Sequence, residues 1–176
     1  MDIFLLRIFQ SQVLAQCETL LAAANGINAG LGSKNTRQVF NEIQNLLNAG
    51  ANISKLLWGQ RGAQANPRAW LRESIGVTDA SPLREVSMRN HFEHLDERID
   101  RWWQESPNHN FVDGNIGPAN MIAGLPPGEI FRHFDPSSTE VTFWGESFNI
   151  QSLVDEVQLL LPRLREEANK PPWETD

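Results

Sequence analysis

Arg89, Asn90 and His94 are the residues of this chain whose types and spacing best suit them to chemistry. They lie in Met88-Arg89-Asn90-His91-Phe92-Glu93-His94, inside a stretch whose pattern predicts a long helix. Arginine is always charged and presents a planar fork of donors; histidine moves protons near neutral pH. With an amide between them they form a set suited to handling a phosphodiester. The chain has no phosphate-cradling glycine loop, no serine elbow and no paired-carboxylate motif. No cofactor is expected from these motifs.

The helix expected to carry this set starts at Ser81-Pro82, with Ser as cap and Pro in the first turn, and runs to about Gln104. Met88, Phe92, Leu95, Ile99 and Trp102 recur at steps of four and three and predict a seam packed in a bundle. At about 100° per residue, Asn90 and His94 fall on the face turned away from that seam, with Arg89 on its flank. Two readings fit this placement. In one the face is solvated, Arg89 pairs with Glu93, and His94 pairs with Asp96 or Glu97. In the other it meets a second copy of the helix, and the two sets share a cleft.

A metal reading draws on His91, Glu93, His94 and Glu97. It lacks a second ligand-bearing segment of recognisable spacing, and His109 and His133 lie on a predicted loop and strand. No metal is expected. Cys17 is the only cysteine, which excludes an internal disulfide and a cysteine-based zinc site. It sits among apolar helical positions and reads as a small buried hydrophobe.

Other segments must position this helix. Asp2 to Ala24 reads as a largely buried helix stopped by Asn25-Gly26, and Thr36 to Trp58 as a second helix with Gly50 marking a close approach. A linker from Gly59 to Asn66 leads to a short helix capped by Asn66 with Pro67 in its first turn. Asn108 to Gly128 reads as loop. Glu129–Phe134 and Glu140–Glu146 read as two strands of a hairpin around Asp135-Pro136-Ser137-Ser138-Thr139. Ser152 to Ala168 is a final helix that Pro162 should kink or split, and the tail from Lys170 reads as loose. The expected fold is mostly α: an up-and-down bundle of four to five helices with a small C-terminal β-hairpin. Residues 1–176 form a single domain, with a helical core at 1–105 and an extension at 106–176.

Net charge is −7 over 176 residues, which argues against strong non-specific binding to nucleic acid. The charge is uneven. Lys34 to Arg89 holds eight basic and four acidic residues; Asn90 to Asp176 holds six basic and sixteen acidic. The short apolar start is interrupted by Arg7 and reads as neither signal peptide nor membrane span, so a cytoplasmic address is the default expectation. Six tryptophans, with Trp102 and Trp103 adjacent, offer either a stacking or interface surface or core packing.

Arg89, Asn90 and His94 match the Arg, polar residue, spacer of four to six, His signature of the HEPN superfamily, and the chain resembles it over residues 1–105. The segment Ala51-Asn52-Ile53-Ser54-Lys55-Leu56-Leu57 is also similar to the second long helix of those domains. The resemblance implies a metal-independent endoribonuclease with its site at a homodimer interface. His94 would move the proton of an RNA 2′-hydroxyl or of the leaving oxygen, Arg89 would stabilise the phosphorane-like transition state, and Asn90 would orient the phosphate or the His. The sequence departs from the family after His94, where Asp96, Glu97 and Asp100 would repel an RNA backbone if they faced it. The alternative is a non-catalytic helical module that binds a protein partner, such as an antitoxin, or a nucleotide.

Overall fold

The computed structural model describes residues 2–59, 68–85, 87–118, 120–122, 124–171 and 173–174. Asp2 starts the first helix, α1 (Ile3–Gly32), by accepting hydrogen bonds from the Phe4 and Leu5 N–H groups. Asn35 starts α2 (Thr36–Trp58) by accepting from Gln38 N–H at 3.1 Å. The two lie antiparallel as a helical hairpin. Val13, Cys17 and Leu20 of α1 and Val39, Ile43, Leu46, Ile53 and Leu57 of α2 are buried in its core.

The first helix does not stop at Asn25-Gly26. Gly26 and Gly30 are contact residues rather than breakers. A Cβ at Gly26 would come within 2.7 Å of the Glu42 side chain, and one at Gly30 within 2.9 Å of Val39. The chain turns only after Gly32, where Lys34 takes a φ of 54°. Gly50 does mark a close approach: its absent Cβ would lie 3.4 Å from Leu153 of the last helix.

A short helix, α3 (Ala69–Ile75), packs Leu71 and Ile75 inward; the expected Asn66 cap and Pro67 lie outside the described residues. Two guanidinium groups join it to α2. Arg68 donates to the carbonyls of Lys55 and Leu56, and Arg72 donates to that of Leu57 at 2.7 Å. The Leu56 and Leu57 carbonyls of the last turn of α2 are thereby satisfied, while that of Lys55 also accepts from Gly59 N–H.

Ser81 caps a 3-10 turn at Pro82–Arg84, as its type predicts. The long helix expected from there to Gln104 is instead two helices, α4 (Ser87–Glu93) and α5 (Leu95–Glu105), with His94 between them at φ −104° and ψ 42°. The seam breaks with it. Met88, Phe92 and Trp102 are buried, Leu95 is half-buried, and Ile99 is exposed.

The expected hairpin is part of a four-stranded sheet, β1 (Asn115–Ile116), β2 (Arg132–Asp135), β3 (Glu140–Phe143) and β4 (Glu146–Asn149), in that order. The first pair is parallel and the others antiparallel. The segment read as one strand from Glu140 to Glu146 folds back at Trp144-Gly145, where both residues have positive φ as in a type I′ turn. The loop at Asp135–Thr139 is as expected, closed by Ser137 N–H donating to Asp135.

The last helix, α6 (Gln151–Asn169), runs antiparallel to α1 and passes through Pro162 without splitting. Pro162 and Gln158 are both exposed, so water can take the carbonyl that the proline leaves without a donor. Arg7 binds the end of α6. Its Nη1 donates to Gln10 Oε1 and to Glu167 Oε2, the latter at 3.0 Å, and its Nη2 donates to the Glu174 carbonyl. The tail is therefore held at this point rather than loose. Phe134, Val141 and Phe143 of the sheet join the buried side chains of the helices in one continuous cluster. The fold is mostly α with a small β part. Among the described residues no helix is long and apolar enough to cross a membrane.

Candidate functional site

The α4–α5 bend places the three sequence-picked residues in different surroundings. Arg89 turns toward the protein: only 13% of its side chain is exposed, and with Leu47, Gly50, Ala51, Met88, Phe148 and Leu153 it lines a small cavity under α2. Its Nη1 donates to Glu93 Oε1 at 2.6 Å and its Nη2 to Asn90 Oδ1 at 2.9 Å. Asn90 thus holds the arginine and is not aimed at the histidine. His94 stands at the bend with 53% of its side chain exposed, its Nδ1 3.4 Å from Glu97 Oε1. The cavity that Arg89 lines does not include His94.

This is the pairing of the solvated-face reading, with one difference: the guanidinium is largely buried. The bend explains why. A straight helix would carry Met88 to Trp102 along one seam. Turning at His94 aims Trp102 at the loop beyond Ser106, while α4 stays against α2. The i to i−4 bonds from His94 N–H to Asn90 and from Arg98 N–H to His94 remain, so the bend is local.

His91, one residue past Asn90, is buried and joined to the sheet. Its ring stacks on Phe143 at 5.2 Å and 18°, and its Nε2 meets Glu146 Oε2 at 2.8 Å. It ties α4 to the sheet. His133 is buried in β2 and, among the described residues, neither its ring nitrogens nor the buried Nδ2 of its register partner Asn115 has a hydrogen-bond partner. His91, Glu93, His94 and Glu97 do not converge. Among the described residues no three His, Cys, Asp or Glu side chains are grouped to hold a metal ion. Burial, with a smaller effect from the Glu18 charge, pushes the Cys17 thiol up to about 12, so it has little thiolate to act as a nucleophile.

Two adjacent tryptophans meet opposite fates. Trp102 is buried against Phe111 at 4.8 Å, while Trp103 is 61% exposed with its ring 4.0 Å from that of His109. Behind them Phe111, Phe131 and Phe143 continue ring against ring to His91. The loop that carries His109 and Phe111 is fixed from inside. The fully buried Glu129 carboxylate accepts from Ser106 Oγ at 2.8 Å and Asn110 N–H at 2.6 Å. Ser106 Oγ in turn accepts from His109 N–H. Sequence reasoning could have found the exposed ring only from the Trp-Trp adjacency, which puts one of the two off any single helical face.

Comparison with known proteins finds no matching family model, no significant match among curated proteins and none among solved structures.

Proposed function

We propose that the protein is a non-catalytic helical module that binds a protein partner, in preference to a ribonuclease. The observation that supports this reading is the closure of Arg89 on Glu93 and Asn90 with little of its side chain exposed. A guanidinium already neutralised by a carboxylate at 2.6 Å is poorly placed to stabilise charge on a phosphorane-like transition state. The acidic run after His94 adds repulsion toward a phosphate backbone. The test is incubation of the full chain and of His94→Ala with varied single-stranded RNAs in EDTA. Both are expected to leave the RNA intact. Cleavage that disappears in His94→Ala would overturn the module reading.

One observation favours the second reading, the HEPN-type ribonuclease of a homodimer. His94 is exposed at a bend, where a second copy could approach it. That reading requires Arg89 to leave Glu93 on dimerisation. It predicts a His94-dependent, metal-independent cleavage and a dimer in solution by sedimentation.

A further inference from the structure

The exposed face of α5 combines an apolar anchor site with uncompensated negative charge. Ile99 and Trp103, one turn apart, are 39% and 61% exposed, and Phe111, whose ring packs on Trp102, is 45% exposed on the 106–111 loop. On the α5 wheel, Trp103 lies about 40° from Ile99, Asp96 about 60° and Asp100 about 100° on the same side. Both aspartates are exposed, and among the described residues neither makes a salt bridge. Each is left to balance an external charge.

The surface is also preorganised. His109 holds a φ of 52°, its Nε2 meets the Trp103 carbonyl at 3.0 Å, and its ring lies on that of Trp103. Trp102 fills the space beneath. Rings fixed before a partner arrives lose little freedom on binding, the condition under which exposed aromatics contribute most.

We propose that this face binds a basic segment of another protein, with an aliphatic or aromatic side chain against Trp103 and Phe111 and Lys or Arg on Asp96 and Asp100. The inference rests on the module reading and names the partner's chemistry. Charge decides among occupants. Nucleic acid would bring phosphates against two carboxylates, and a second copy meeting this face through a two-fold axis would set carboxylates against carboxylates.

The test uses the full chain and a short fluorescein-labelled peptide with Leu and Phe anchors between Arg and Lys, beside a counterpart with Glu at every basic position. Fluorescence anisotropy should show the basic peptide binding at least about tenfold more tightly than the acidic one, and added salt should weaken it. Trp103→Ala should weaken binding by at least about tenfold, and Asp100→Lys should shift preference toward the acidic peptide. Ile8→Ser, on a separate exposed apolar position of α1, should bind as the parent does. Equal binding of both peptides, or parent-like binding by Trp103→Ala, would overturn the proposal and leave the module reading standing. Self-association lost in Trp103→Ala, or tighter binding of a single-stranded RNA than of the basic peptide, would overturn it in favour of those occupants. His94-dependent RNA cleavage would instead remove the reading beneath it, whatever the peptides do.

Discussion

The Arg89 guanidinium and the Glu93 carboxylate lie 2.6 Å apart across one turn of α4, with Asn90 holding the second guanidinium nitrogen. Glu93→Gln removes the charge that occupies Arg89 and leaves the helix in place. Because the glutamate is 42% exposed, the expected loss of stability is below about 1 kcal/mol by chemical denaturation. RNA incubated with the variant should remain intact. Cleavage that appears only when Glu93 is neutralised would show that the ion pair masks an active arginine.

Arg7 and Glu167 form a pair with side chains only 8% and 9% exposed. Arg7→Ala should cost about 1.5–3 kcal/mol, less than an uncompensated buried charge would, because Lys170 Nζ, 2.7 Å from Glu167 Oε1, still pairs with the carboxylate. Arg7→Met combined with Glu167→Leu should recover much of that loss, since burying neither charge avoids the desolvation cost. Denaturant melts of the single and double variants read the coupling.

Gly30 and Gly50 separate two effects of adding a methyl group. In a helix interior Gly→Ala gains about 1 kcal/mol of intrinsic preference. At Gly50 the new Cβ would meet Leu153 at 3.4 Å, ordinary contact, so Gly50→Ala should be neutral or stabilising. At Gly30 it would come within 2.9 Å of the Val39 side chain and 3.1 Å of the Val39 backbone nitrogen. Overpacking of that kind costs about 1–3 kcal/mol, so Gly30→Ala should lower the melting temperature.

Asp79 gives the stability a pH dependence. The Trp58 indole N–H, which donates to its Oδ1 at 2.8 Å, holds the carboxyl below its ordinary value of 3.8, and the Arg72 and Arg84 charges add to this. A carboxylate with a lowered folded-state pKa stabilises the fold fully above the unfolded-state value. That contribution is lost as pH falls through the folded value. The stability difference between the parent and Asp79→Asn should therefore be largest near neutral pH and shrink below about pH 4. A difference that grew on acidification would contradict the assignment.

His133 is buried, and among the described residues neither of its ring nitrogens has a partner. Leaving a buried polar group unsatisfied costs about 1–3 kcal/mol, so His133→Leu should leave stability unchanged or raise it. A large loss would show that the ring has a polar role.

Much of the helical frame was legible because its signals are local. The apolar repeat from Val39 to Leu57 places α2 at its observed bounds. Ser81-Pro82 and the turn after Asp135 were readable for the same reason. The misreadings come from contacts between distant residues. Asn25-Gly26 looks like a helix stop until Glu42 is packed against it. Trp144 takes a positive φ that its residue type does not announce, so the second turn of the sheet was hidden. At the site, the Arg89–Glu93 pair followed from their spacing, whereas the burial of Arg89 did not. The bend at His94 has no Gly or Pro to mark it, and it is this bend that turns Trp102 inward and leaves Trp103 outside.

Arg68 and Arg72 take three carbonyls from the final turn of α2. The join between α2 and α3 is thus made twice, once through the backbone and once through guanidinium clasps that need no peptide link. Opening the chain between these helices and splicing its ends elsewhere should leave the pair in register, which makes this junction a natural place for the new termini of a circular permutant.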